Sequence, residues 1–223
     1  MPEQDTVAVF GAYGLIGAAC ARAFDRAGWT VHLVGRDRAK LDRLAAELSE
    51  GTTVAVADIG SAQDARDVLS PHAGYGAILT PIGGPAPTGP IAEATPNDVT
   101  EAMRAKLLSQ WVAAGASRDV LASDGALMLF SGLLARLSFP GMNAMGTVNA
   151  AVERLARSLD DEWDGVRVRC ISPGMVKPDA DASQGEVTPD AVAALALDLA
   201  SSSDGGNAAS SGAVVRDIPE GLA

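Results

Sequence analysis

The segment Gly11-Ala12-Tyr13-Gly14-Leu15-Ile16-Gly17 lies between an apolar run, Val7 to Phe10, and a helix-like stretch, Leu15 to Phe24, that Gly28 closes. Glycines at these places permit a tight turn, close approach of backbone to a phosphate, and close packing of helix on strand. The helix start aims unpaired N–H groups at an anion, so Gly11, Tyr13, Gly14, Leu15, Ile16 and Gly17 form a candidate nucleotide turn. The pattern then repeats. Val31 to Val34 reads as a buried strand, and Leu41, Leu44, Ala45 and Leu48 recur at helical spacing before a third strand, Val54 to Ala57. This alternation predicts an α/β fold: a doubly wound parallel sheet with helices on both faces, of the Rossmann type.

Asp64 to Leu69 and Ala77 to Leu79 supply the next helix and strand, ahead of a Pro/Gly-rich loop from Pro81 to Pro90. Thr95-Pro96, with Asp98 in the first turn, opens a helix expected to run to about Leu121. Strand Ala126 to Phe130, a long helix from Met142 to Trp163 and strand Val166 to Ile171 come next. Thr188-Pro189-Asp190 opens a last helix, Ser201 to Ser211 reads as a mobile surface loop, and Ala213 to Val215 reads as a final strand.

A chain of 223 residues with 48% hydrophobic content fits one domain over residues 1–223. A net charge of −11 and a pI near 4.5 oppose a nucleic-acid or anionic-membrane surface, which needs a basic face. Cys20 and Cys170 sit in apolar segments and read as two buried thiols rather than a disulfide. No basic stretch precedes an apolar one at the N-terminus, and no apolar run approaches about 18 residues. The expectation is a cytoplasmic protein without a membrane span.

The second strand ends at Val34-Gly35-Arg36-Asp37. An acid at that tip suits the ribose hydroxyls of NAD, whereas an Arg suits a 2′-phosphate, so Arg36 points to NADP(H). Asp37 keeps the ribose alternative open, and a solvated Arg is the bland one. Asp58-Ile59, just past the third strand, is expected beside the adenine.

These residues, together with Gly125 to Ser131 and Val166 to Gly174, resemble the short-chain dehydrogenase/reductase family over nearly the whole chain. The segment Met142-Asn143-Ala144-Met145-Gly146 is similar to the active-site helix of enoyl-thioester reductases in that superfamily. The resemblance implies that Pro173 and Gly174 also border the cofactor. It further implies a catalytic Asn, Ser, Tyr and Lys, whose positions here hold Lys106, Gly132, Met145 and Asn149. The wider spacing of the enoyl reductases moves the Tyr position to Met142. A thioether has no proton to donate. Tyr13 and Tyr75, the chain's two tyrosines, lie elsewhere, Ser131 is expected to face away from the pocket, and His32 and His72 read as ordinary core or surface residues.

Two functions follow as alternatives. One is a non-catalytic or impaired NADP-binding member acting as a partner, sensor or structural subunit. The other is an atypical reductase, or a redox-neutral isomerase or cyclase, working from a non-standard site. The resemblance implies a homodimer or homotetramer through the helices containing Lys106 to Val112 and Val148 to Leu159, with a hetero-partner or small-molecule ligand open. The resemblance makes Lys106 and Asn149 an exchange of residue types that implies a Lys106 partly buried near the cofactor, the alternative being a solvated helix lysine like the surface residue Lys40. Between Gly174 and Thr188 only a short polar stretch stands where the family carries a helical lid.

Overall fold

A computed structural model describes residues 5–84, 86–181 and 186–202, and the backbone of 214–218. Seven parallel strands run in the order β3-β2-β1-β4-β5-β6-β9, reversing direction of growth after β1. In chain order these are β1 (Thr6–Phe10), β2 (Thr30–Gly35), β3 (Thr53–Val56), β4 (Tyr75–Thr80), β5 (Leu121–Phe130), β6 (Arg167–Pro173) and β9 (Val214–Ile218). The helices are α1 (Leu15–Arg26), α2 (Arg38–Ala45), α3 (Ala62–Leu69), α4 (Pro96–Ala102), α5 (Ser109–Ser117), α6 (Asn143–Glu162) and α7 (Pro189–Ser201). One core cluster packs α1, α2 and α7 against one sheet face, and a second packs α3, α5 and α6 against the other. Strands covered on both faces are near-continuously apolar, as Val7 to Phe10 and Ala126 to Phe130 are.

The helix opened by Thr95 stops at Ser117, short of the expected Leu121. The Val120 carbonyl accepts the Gly74 and Tyr75 amides, at 2.8 and 2.9 Å, which draws the following residues into β5 beside β4. Between α4 and α5 the helix widens into a π-helical turn, Met103–Leu108, that carries Lys106. The stretch after Gly174 is not featureless. Met175–Val176 (β7) and Glu186–Val187 (β8) pair in parallel, and Glu186 takes both the Lys177 ammonium and, at 3.0 Å, the Asp181 amide. The expected final strand reaches Ile218, three residues past Val215, while Ala213 and most of the expected loop from Ser201 lie outside the described residues. Cys20 and Cys170 are buried free thiols, each pushed up to about 12 by burial.

Candidate active site at the carboxyl ends of the strands

The turn after β1 is built on its glycines. Gly11 has φ +65°, and its carbonyl accepts the Gly14 amide at 2.9 Å. A Cβ on Gly17 would lie 2.3 Å from the Gly11 carbonyl oxygen, so α1 can approach the turn this closely only with glycine there. Leu15 is exposed and Ile16 half-buried at the helix start. Tyr13 folds over the tip of β2, where a Cβ on Gly35 would meet its ring at 2.7 Å.

Lys40 sets its ammonium 5.2 Å from the Tyr13 ring centroid, a cation–π approach. Lys40 is exposed, as expected of a surface lysine, and it stands beside the glycine turn because α2 begins at Arg38 and returns its first turn toward β2. Asp37 caps α2 by accepting the Lys40 amide at 3.1 Å, and that hydrogen bond, with the nearby Lys40 ammonium, holds its carboxyl below the ordinary range. One oxygen of the carboxylate left open as a ribose ligand thus caps α2, and the side chain remains part-exposed. Arg36 is exposed and lines a cavity of about 540 Å³ with Val56, Ala57, Asp58, Asp64 and Asp67 among its walls. Asp58 opens into this cavity, whereas the Ile59 side chain turns into the core.

A second polar cluster lies at the ends of β4, β5 and β6. Gln110, fully buried on α5, accepts the Phe130 amide at 2.8 Å and lies 3.0 Å from the Thr80 hydroxyl; its amide donates to the carbonyls of Phe130 (2.8 Å) and Ile82 (3.3 Å). It fastens the loop after β4 to the end of β5. Lys106 donates to the Ser131 carbonyl at 2.9 Å, and burial lowers its ammonium to about 8, against a smaller opposing influence of Cys170. The Ser131 hydroxyl turns to Glu153 (2.9 Å) and Ser172 (3.0 Å), and Ser172 also donates to Glu153 at 3.0 Å. Arg136 approaches the same carboxylate at 3.6 Å.

Asn149 is buried on α6, and its Oδ1 has no hydrogen-bond partner among the described residues. Its Nδ2 stands 2.8 Å from where a Cβ on Gly132 would be. Gly132 and Asn149 are therefore one steric unit: the amide occupies the volume that a side chain at 132 would claim. Met145 is half-buried one helical turn before Asn149, Met142 is exposed, Pro173 is buried at the end of β6, and Gly174 is half-buried. Glu153 and Gln110 carry no role in the sequence reading, and Lys40 enters it only as a surface lysine. Glu153 falls one turn after Asn149 on the same helix face, and Gln110 interrupts an apolar run, and either pattern would have marked them.

A family model described as enoyl-(acyl carrier protein) reductase matches residues 11–209. The chain is 26% identical to sulfoacetaldehyde reductase 2 of Chromohalobacter salexigens over 186 residues, covering 78% of this chain and 73% of that protein. It is 30% identical to L-fucose dehydrogenase of Oryctolagus cuniculus over 179 residues, covering 76% of this chain and 62% of that one. The solved alcohol dehydrogenase of the archaeon Thermococcus sibiricus, complexed with 5-hydroxy-NADP, shares the fold with a TM-score of 0.83 at 21% identity, over 97% of this chain and 96% of that one. Actinorhodin polyketide ketoreductase with NADPH does so at 0.82 and 16% identity, over 96% and 95%. With a match that runs from the glycine turn through α7, the chain belongs to the short-chain dehydrogenase/reductase family.

Proposed function

We propose that this protein binds NADP(H) and is an oxidoreductase-family member in which the usual hydroxyl proton donor is lost, so that it is impaired toward ordinary ketones. The observation that carries the cofactor half is the pair of cations, Arg36 and Lys40, at the tip of β2 beside the glycine turn. Bound there, a dihydronicotinamide cofactor would supply hydride. Gly11, Gly14 and Gly17 let the backbone approach its pyrophosphate, Arg36 and Lys40 take a 2′-phosphate, and Asp58 faces the adenine end. Structural neighbours solved with NADP or NADPH support the same choice.

The impaired half rests on Met145 and Gly132, which offer neither hydroxyl at the positions where the family places its Tyr and Ser. A positioned general acid contributes about 10²–10⁴-fold, and ordinary ketone reduction is accordingly slow. NADPH titration by fluorescence, followed by NADPH oxidation against simple ketones and enoyl thioesters, tests both halves. Turnover like that of an ordinary family reductase would overturn the second. The alternative of an atypical enzyme is favoured by one observation, the half-buried Lys106 ammonium among the strand ends.

A further inference from the structure

Two polar groups without an evident structural role lie at the carboxyl end of β5, and they flank the adjacent residues Ser131 and Gly132. Lys106 reaches in from the π-helical turn and bonds the Ser131 carbonyl. Asn149 reaches in from α6 against Gly132 and leaves a buried acceptor, Oδ1, without a donor. Open α/β sheets bind their ligands outside these strand ends. A buried acceptor is costly unless something donates to it, and an ammonium bonded to one neutral carbonyl has donors to spare.

We propose that Lys106 is the proton donor of a carbonyl reduction whose substrate also carries a hydroxyl a few bonds from the carbonyl, that hydroxyl donating to Asn149 Oδ1. This rests on the NADP(H) reading above. The carbonyl carbon takes a hydride from the dihydronicotinamide, the C=O π pair moves to oxygen, and that oxygen takes a proton from the Lys106 ammonium. The products are an alcohol, the oxidised nicotinamide and a neutral lysine, which regains its proton from water. The substrate class is a hydroxylated aldehyde or ketone. A simple ketone leaves Oδ1 unpaired, and sites built to bond a substrate hydroxyl reject analogues that lack it.

Among the described residues, the titratable groups nearest Lys106 are Cys170 on β6, whose thiol burial pushes up, and Glu153 on α6, which the hydroxyls of Ser131 and Ser172 and the Arg136 guanidinium engage. An ammonium lowered to about 8 is well matched to proton donation near neutral pH. Its protonated form persists below that value, so the rate is level at lower pH and falls as pH rises through about 8.

The test uses dihydroxyacetone and glyceraldehyde as probes, with acetone and propanal as their hydroxyl-free counterparts. Expected results are turnover of the hydroxylated pair at least tenfold above the other, and a fall in rate above pH 8. Lys106→Arg keeps the charge and cannot release its proton; it should retain NADPH binding and thermal stability yet lose at least a hundredfold in kcat. Asn149→Leu should erase the preference for hydroxylated probes through KM. Competitive acetylation of the apoprotein across pH reads the Lys106 titration without any turnover. NADPH binding together with a Lys106 that titrates near 10.5, unchanged kcat in Lys106→Arg, or equal use of acetone and dihydroxyacetone would overturn this inference alone. Failure to bind NADPH would overturn the cofactor reading and this one with it.

Discussion

Gly132 and Asn149 show how two positions that read separately in the sequence become one structural fact. With Asn149 Nδ2 at 2.8 Å from the place of a Cβ at 132, Gly132→Ser forces the buried amide aside. Overpacking of this kind costs about 1–3 kcal/mol, and urea denaturation of Gly132→Ser should show it. Adding Asn149→Ala should recover part of that loss, since contacting sites are non-additive; strictly additive effects would refute the steric pairing.

His32 offers a pH-dependent counterpart at the same scale. Its Nδ1 lies 2.6 Å from Thr53 Oγ1 and its Nε2 2.9 Å from the Val68 carbonyl, and burial lowers it to about 4. The fold therefore holds the neutral ring, whereas the unfolded chain takes a proton near 6.5. Stability from this residue is fully present above about pH 6.5 and is lost as pH falls toward 4, by on the order of 3 kcal/mol. The urea midpoint should drop over that window, and drop less in His32→Gln; parallel profiles would contradict the assignment.

Among the elements, the continuous helix from α4 through the π-helical turn to α5 does the most to shape the site. Its widened turn lifts Lys106 toward the end of β5, and one turn later Gln110 bridges the β4 loop and β5. Gln110→Ala strands the buried Phe130 amide and carbonyl, each costing about 1–3 kcal/mol. A loss of about 3 kcal/mol in thermal or chemical unfolding is expected, and a loss below about 1 kcal/mol would show that the bridge is dispensable.

The alternation of elements was legible because parallel strands covered on both faces must be apolar throughout, as Val31 to Val34 and Ala77 to Leu79 are. The glycine turn was legible because its chemistry is local. The π-helical turn, the early end of α5 and the two-residue strands β7 and β8 were not, since each depends on partners far away in sequence, such as the Gly74 and Tyr75 amides on Val120. Lys40 escaped for the same reason: only the folded path of α2 sets it against Tyr13.

For the whole molecule, no described helix is long and apolar enough to cross a membrane. The expected pairing faces are unequal. Val148, Val152 and Leu155 of α6 are spent in the protein's own core, whereas Met103, Leu108 and Trp111 on the α4 to α5 helix remain exposed. Assembly into a dimer or tetramer would cover that second group, and light scattering at micromolar concentration should show a mass above the monomer that Trp111→Glu reduces. A monomer in both proteins would contradict assembly through this face.

In the function proposed above, the Rossmann frame binds NADP(H) and lacks the family's hydroxyl donors at 132 and 145. Charge-assisted contacts to a phosphate are worth about 1.5–3 kcal/mol. Equilibrium titration of the protein with NADPH and with NADH, in wild type, Arg36→Ala and Lys40→Ala, measures it most directly. NADPH binding at least tenfold tighter than NADH, with the difference collapsing in Arg36→Ala and shrinking in Lys40→Ala, is the predicted result. Equal affinity for the two, or binding of neither, would contradict it.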